Sequence, residues 1–414
     1  MHKSGISSKE SKTALLTVFL AVLIDLMGFG IVLPLLPFYA STFHASAIQI
    51  GLLYSIYSFA QLIFSPIWGS LSDRVGRRPI MLISTFGASI AYIVFGLAHT
   101  LALLFISRAI AGIMGGNIST AQAYVADVTT HEDRAKGMGL IGAAFGIGFV
   151  MGPAISTVLI HPKFLEFFHI AAVNKFSAPG FFASILSFTS FLLVLFKLPE
   201  TRKKVENQET RIIKLSVFSK KFWQSIVDER KNEQDSLFPL LILSVFLLSF
   251  SQASLYSSFP IFCSQWLHMS AEQVGVLFVY MGVIAAVVQG GLIKKLSKKF
   301  GEENLFFSGN IILILAFMML PFSKSTTDLI LILSLMSIGA SLNVPTLNSL
   351  ISKAANPEQV GAVMGTSQGI ASLGRVIGPT WGGFLIHFSY RLPFLLTASL
   401  LSMTLYVGTR LKKR

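Results

Sequence analysis

The stretch Gly69-Ser-Leu-Ser-Asp73-Arg74-Val-Gly76-Arg77-Arg78-Pro79 separates two apolar segments, at about 48–68 and 80–98. Each segment is long enough to cross a bilayer core of about 30 Å at about 1.5 Å per helical residue. We therefore predict a tight turn at a membrane surface. Gly69 and Gly76 suit close packing or a left-handed turn, and Asp73 can accept hydrogen bonds from N–H groups at a helix start.

The composition indicates a polytopic membrane protein. The 414 residues are 53% hydrophobic and only 13% charged, whereas soluble domains carry about 25% charged residues. The net charge of +14 does not indicate nucleic-acid binding, because the basic residues lie between apolar spans. The single cysteine, Cys263, excludes an internal disulfide and a cysteine-based metal site. We expect neither a metal nor an organic cofactor.

Apolar segments predict an all-α membrane protein with twelve transmembrane helices. Six lie in an N-terminal bundle, residues 1–198, and six in a C-terminal bundle, residues 237–414, with a cytoplasmic linker at 199–236. The spans are predicted at about 14–40, 48–71, 79–98, 101–126, 136–160, 179–198, 237–266, 271–293, 303–322, 328–352, 360–386 and 391–410. An even number of spans places both termini on one side of the membrane.

The distribution of basic residues orients the chain. The loops on the side opposite the termini contain only Lys163, Lys175, Lys324 and Arg391. By the positive-inside rule, both termini and the linker are cytoplasmic. Within the linker, residues 212–231 place apolar side chains at helical spacing beside lysines. A helix on the membrane surface and a flexible tether both fit this pattern.

The two halves of the chain repeat at a constant offset in sequence. The matched pairs include Pro34 and Pro260, Asn117 and Asn343, Gly148 and Gly374, and Gly152-Pro153 and Gly378-Pro379. With the offset shortened by one position, Lys294–Gly301 lies over Gly69–Gly76, but it lacks the first glycine and the aspartate. We therefore expect an ionic contact at this turn only in the first half.

Three charged residues lie well inside predicted spans: Asp25 in the first, Arg108 in the fourth and Arg375 in the eleventh. For Arg375 a structural role is expected. A charged carboxylate facing lipid is costly, so we expect Asp25 to face a cavity or a polar partner and to bind a proton readily. Arg108 keeps its charge and therefore needs an acceptor. Roles in proton coupling or ligand binding and roles as structural hydrogen-bonding groups both remain open.

The motifs resemble those of one transporter family. G-x-x-x-D-R-x-G-R-R at residues 69–78 resembles the loop signature between helices two and three of the major facilitator superfamily, especially its drug:proton antiporter branch. D-x-x-G-x-G-x-x-x-P-x-x-P from Asp25 is similar to the first helix of the tetracycline efflux pumps. R-x-x-x-G from Arg108 resembles the fourth-helix signature of proton-linked members, and Gly148, Gly152 and Pro153 resemble the fifth-helix signature of antiporters.

The resemblance implies two six-helix pseudo-repeats with a substrate site between them. It assigns Asp25 and Arg108 to proton coupling, and it pairs an acidic residue at the end of helix four with the loop arginines. The implied gate consists of Gly69, Asp73, Arg74, Gly76, Arg77, Arg78 and Asp127. The tetracycline pumps carry further acidic residues in helices three and nine, where this chain has Ser89-Ile-Ala91-Tyr92 and an uncharged mid-span.

Polar residues within the spans suggest an amphipathic, lightly charged substrate cavity. The candidates are Tyr54, Tyr57, Gln61, Asn117, Gln252, Tyr256, Gln289, Asn343 and Gln368. Any one of them alone is more often an interhelical hydrogen-bonding group than a ligand contact.

The predicted function is proton-coupled export of a small lipophilic or aromatic compound, as in multidrug or tetracycline-like efflux. The alternative is a proton symporter or uniporter for a metabolite such as a sugar, peptide or siderophore. The chain lacks a G-x-x-x-x-G-K-[ST] nucleotide loop and the common hydrolase motifs, so we expect a transporter rather than an enzyme, driven by a proton gradient. The expected partners are the substrate, protons and the lipid bilayer, for a monomer in a bacterial inner membrane.

Overall fold

A computed structural model describes residues 8–129, 134–167, 175–201, 237–354 and 360–412. Helices joined by short turns make up these residues. In chain order the α-helices are α1 (Ser8–Ser41), α2 (Ala47–Val75), α3 (Arg77–Gly96), α4 (Leu101–Met114), α5 (Ile118–Val128), α6 (Arg134–Leu159), α7 (Pro162–Phe167), α8 (Ser177–Lys197), α9 (Leu237–Trp266), α10 (Ala271–Val287), α11 (Ile293–Phe300), α12 (Glu302–Met319), α13 (Thr326–Ala354), α14 (Val360–Phe388) and α15 (Leu392–Lys412).

The predicted all-α membrane fold is confirmed. Eleven helical segments among the described residues are long and apolar enough to cross a membrane. A 3-10 turn joins α4 to α5, and a π turn joins α10 to α11, so each pair forms one continuous span. The predicted span at 360–386 corresponds to α14, whose 29 residues exceed the roughly 20 that a bilayer requires. The amphipathic helix predicted at 212–231 lies outside the described residues.

Backbone packing divides the chain into two units. Of the described residues, the first unit takes those within 1–46, 56–209 and 269–279, and the second takes those within 47–55, 210–268 and 280–414. Helix α2 therefore starts in the second unit and continues in the first after residue 55.

Polar contacts between helices hold the first unit together. Ser89 of α3 and Ser184 of α8 lie 2.9 Å apart at their hydroxyls, and Ser107 of α4 donates to the carbonyl of Ala91 at 2.9 Å. Small hydroxyl residues let helices approach closely in a lipid environment, where apolar burial between helices gives little driving force.

In the second unit, α9 packs along α14 at a line of glycines. A β-carbon at Gly378 would lie 3.0 Å from the β-carbon of Ala253, and Ser257 donates to the carbonyl of Pro379 at 3.1 Å. The first turns of α2 also rest on α14, where Ser55 donates to the carbonyl of Val376 at 2.6 Å. The glycines of α14 therefore let its backbone approach α9 closely.

Candidate functional site

Asp25 lies in the middle of α1, where it is half-buried. One turn later, Gly28 leaves a gap that α3 fills: a β-carbon at position 28 would lie 2.6 Å from the hydroxyl oxygen of Tyr92. The Tyr92 side chain is 2% exposed. Because position 28 is a glycine, the Tyr92 hydroxyl can contact α1 one turn after Asp25.

Tyr92 lies within electrostatic range of two intramembrane charges. It interacts electrostatically with Asp25, Arg108 and Tyr57. Arg108 is 2% exposed, and its guanidinium carbon lies 5.0 Å from the ring centroid of Tyr57, in reach of a cation–π interaction. The structure thus brings Asp25 and Arg108 to one cluster with Tyr92, a residue that no sequence motif marks.

Tyr57 completes this cluster from α2. Its ring centroid lies 4.9 Å from that of Phe29. A β-carbon at Gly115 would lie 2.8 Å from the Tyr57 hydroxyl. Four helices therefore contribute to a compact group that contains one carboxylate, one guanidinium and two phenols. Such a group can hold a proton at the carboxylate, and the nearby guanidinium influences the charge state of that carboxylate.

The glycines of the predicted antiporter signature set the position of α1. A β-carbon at Gly152 would lie 2.6 Å from the α-carbon of Gly30, and one at Gly148 would lie 2.7 Å from the β-carbon of Leu26. Pro153 lies at the same contact, 3.3 Å from the β-carbon that Gly30 lacks. Helix α6 therefore packs backbone to backbone against the segment of α1 that follows Asp25.

The predicted cavity residues have different surroundings. Asn117 donates to the hydroxyl of Ser84 at 3.0 Å, and Asn343 has no exposed surface, so both lie in helix packing in this structure. Gln61 donates to the carbonyl of Gly115 at 2.9 Å. Of the remaining candidates, Tyr54 is buried and Tyr57 and Tyr256 are half-buried. Gln252, Gln289 and Gln368 are exposed.

The turn between α2 and α3 is a single glycine. Gly76 has φ 104°, a conformation that a residue with a β-carbon adopts only with strain. The predicted N-terminal cap by Asp73 is wrong. The carboxylate of Glu200 instead accepts from the backbone N–H groups of Arg77 and Arg78, at 3.0 and 3.1 Å, because Asp73 lies in the last turn of α2 and points to an arginine.

That arginine, Arg77, forms the centre of an ionic cluster. Its guanidinium contacts Asp73 at 2.8 Å and Asp127 at 3.1 Å, and it donates to the hydroxyl of Ser72 at 2.6 Å. The Arg77 side chain is 6% exposed, against 50% for Asp73 and 29% for Asp127. We call Asp73, Arg77 and Asp127 the latch. It joins the end of α2, the start of α3 and the end of α5.

The other residues predicted at this turn are placed around the latch. Arg78 donates to the carbonyl of Leu195 at 2.6 Å, whereas Arg74 is exposed. Gly69 packs on Ser119, whose hydroxyl oxygen would lie 3.5 Å from a β-carbon at position 69. Thr201 donates to Asp127 at 3.3 Å, so the segment after α8 contacts the latch as well as capping α3.

Comparisons with known proteins agree with this architecture. The family model described as Major Facilitator Superfamily matches residues 18–379. Tetracycline resistance protein, class C, of Escherichia coli is 28% identical over 373 residues, 89% of each chain. Multidrug resistance protein 1 of Bacillus subtilis is 28% identical over 406 residues, 97% of this chain and 96% of the relative.

A solved structure is similar over nearly the whole chain. The human organic anion transporter MFSD10 (TETRAN) has a TM-score of 0.71 and 26% identity, and the match covers 96% of this chain and 99% of that one. The match of the family model over most of the sequence, together with the helical spans, shows the family of this chain. It belongs to the Major Facilitator Superfamily and is a multi-pass membrane transporter of small molecules.

Proposed function

We propose that this transporter exports a small lipophilic or aromatic compound in exchange for protons. The observation that carries the proposal is the placement of Tyr92, whose hydroxyl lies at the gap left by Gly28 and which interacts with both Asp25 and Arg108. A carboxylate within a membrane span, next to a fixed cation and a phenol, is suited to bind and release a proton during a transport cycle.

In the proposed cycle, a proton entering from outside binds Asp25, and Arg108 sets the affinity of the carboxylate for that proton. Coupling requires only that substrate and proton favour different conformations. The latch controls the conformational change where α2 ends and α3 begins, whereas Asp25 carries the proton. The driving force is then the proton gradient.

The proposed substrate class rests on the relatives and on the charges of the spans. Two of the relatives described above are resistance proteins, for tetracycline and for multiple drugs. In this chain Asp25 is not accompanied by mid-span carboxylates in α3 or α12. A lightly charged, aromatic site favours lipophilic compounds over a strongly charged metal complex.

The proposed setting is a bacterial inner membrane, with the chain acting as a monomer. Both termini and the latch would lie on the cytoplasmic side, because the opposite loops are poor in Lys and Arg. Labelling of single cysteines at the two ends of the spans with an impermeant reagent tests this orientation.

Ligand-induced proton release tests the function. Purified protein in weakly buffered detergent is titrated with lipophilic cations, neutral aromatics and tetracyclines while a pH dye records released protons. We expect release from the unmodified protein and none from Asp25→Asn, although the variant still binds the ligand. Asp25→Glu restores part of the release. Glu303→Gln, which removes an exposed carboxylate, serves as the matched control.

One outcome overturns the proposal. If a compound binds and Asp25→Asn releases as many protons as the unmodified protein, coupling does not take place at Asp25. Binding with no release from either protein favours a uniporter.

A second candidate is transport of organic anions. Arg108 is a buried, permanently charged group, and the structurally similar MFSD10 is described as an organic anion transporter. Aromatic carboxylates added to the same titration test this candidate. Saturable binding that is lost in Arg108→Gln and kept in Asp25→Asn supports it.

A further inference from the structure

The second unit contains an ion pair at the matching turn. Glu302, the first residue of α12, lies 2.9 Å from the side-chain nitrogen of Lys353 in the last turn of α13. The other oxygen of Glu302 accepts from the hydroxyl of Ser349 at 2.9 Å. The pair therefore joins the start of α12 to the end of α13.

The repeat matches this pair to the latch. Glu302 corresponds to Arg77 at the offset that aligns Gly301 with Gly76, and Lys353 corresponds to Asp127 at the offset that aligns Asn343 with Asn117. The residue before each helix is a glycine with positive φ, 104° at Gly76 and 79° at Gly301. The two pairs thus connect equivalent helix ends, and the expectation that only the first half has an ionic contact is wrong.

The signs of the charges are inverted at all three latch positions. Lys298 corresponds to Asp73 in the same alignment of the two turns and is exposed, while the ion pair of Glu302 is with Lys353. The latch has the order acid, base, acid at Asp73, Arg77 and Asp127, whereas Lys298, Glu302 and Lys353 have the order base, acid, base. Coulomb attraction depends only on the product of the charges, so inversion of every sign preserves the attraction between the helix ends.

The neighbouring serine is also preserved. Ser72, which accepts from Arg77, corresponds to Ser297 when the two turns are aligned. Ser297, Glu302 and Ser349 line a small cavity of about 90 Å³. Ser297 therefore lies beside Glu302, as Ser72 lies beside Arg77, although the sequence here does not match the loop motif.

We propose that Glu302 and Lys353 form a charge-inverted counterpart of the Arg77–Asp127 contact, that this pair holds the start of α12 against the end of α13 during transport, and that Lys298 supplies the third charge of the inverted set. These are positioning residues. The proposal goes beyond proton-coupled export, because it requires neither a particular substrate nor coupling at Asp25.

The inverted set is more open to solvent than the latch. Lys353 is 67% and Glu302 18% exposed, whereas Arg77 is 6% exposed. Exposed pairs are screened by salt and contribute modestly. The inverted set is therefore easier to break than the latch, and its response to salt concentration can be measured.

Cysteine labelling tests the proposal without a substrate. A cysteine is introduced at Ser297 in a Cys263→Ala background, and its alkylation by a fluorescent maleimide is timed in full-length protein. Glu302→Gln and Lys353→Gln are each expected to increase the rate by about twofold to fivefold. The double exchange Glu302→Lys with Lys353→Glu returns the rate to that of the background.

A triple exchange copies the charge order of the latch. Lys298→Asp, Glu302→Arg and Lys353→Asp together are expected to keep the slow labelling rate. Glu303→Gln, which removes the adjacent exposed carboxylate, is the matched control and leaves the rate unchanged. Raising NaCl from about 0.05 M to about 0.5 M speeds labelling of the background protein but not of Glu302→Gln with Lys353→Gln.

The proposal is overturned if the double exchange labels as fast as the single variants, or if Glu303→Gln has the same effect as Glu302→Gln. A rate that does not respond to salt in the background protein also overturns it. None of these outcomes depends on proton release, so a failure here is distinct from a failure of the proposed function.

Discussion

The hydroxyl of Tyr92 lies in the space that a side chain at position 28 would occupy, 2.6 Å from the place of its β-carbon. Helix α1 therefore has no freedom to carry a larger residue there while α3 remains where it is. The contact fixes the position of the phenol against the turn of α1 that follows Asp25. Packing and charge placement depend on the same glycine.

Gly28→Ala is expected to displace Tyr92 and to reduce proton-coupled transport. Overpacking of a buried contact costs about 1–3 kcal/mol, so the thermal unfolding midpoint also falls. Gly142→Ala is the control, since a β-carbon there meets nothing within 4 Å. Equal unfolding midpoints and equal transport for the two variants would show that the Tyr92 contact is dispensable.

Tyr92→Phe keeps the ring and removes the hydroxyl. We expect fewer protons released for each ligand bound, with little change in the affinity for the ligand, because the phenol acts on the charged cluster rather than on helix packing. Calorimetric binding and dye-detected proton release on the same sample measure the two quantities. A proportional loss of both would indicate a role in folding instead.

Gly152→Ala is expected to separate α1 from α6. A β-carbon at this position would lie 2.6 Å from the α-carbon of Gly30, and backbone atoms cannot move aside without shifting a helix. Gly146→Ala on the same helix has open space around its β-carbon and leaves stability unchanged. The prediction fails if both variants unfold at the same temperature.

Arg77→Lys is expected to lower transport about tenfold, although the charge is conserved. The guanidinium serves Asp73, Asp127 and Ser72 at once, and an ammonium group cannot reproduce that planar geometry. A loss of about 1.4 kcal/mol corresponds to a factor of ten. Arg74→Lys, at an exposed position, retains full transport. Similar rates for the two variants would remove Arg77 from the conformational control.

The spans and the intramembrane charges could be predicted from the sequence because both follow from the cost of placing polar groups in lipid. The glycines at 148 and 152 could also be found, since small residues mark close helix contacts. Tyr92 could not, because an uncharged residue in an apolar span has no distinguishing pattern. Its importance depends on the gap at Gly28, which is a tertiary relationship.

Glu200 was missed for a different reason. Glu200 is distant in sequence from Arg77, although it accepts a hydrogen bond from the backbone N–H of Arg77. It also lies at the start of a hydrophilic linker, where acidic residues are common. The ion pair of Glu302 and Lys353 could not be predicted from the motif, because a motif specifies residue types whereas the helix ends require only opposite charges. The two helix ends carry equivalent contacts even though their sequences are not similar.

The cap that Glu200 places on α3 determines where the chain can be cut. A fragment that stops at residue 198 would lack both the carboxylate on the N–H groups of Arg77 and Arg78 and the Thr201 hydroxyl on Asp127. Co-expression of the halves as separate polypeptides, or insertion of a reporter domain between them, therefore needs its breakpoint after Thr201. The polypeptide that supplies the first six spans has to include this short extension to assemble its own turn.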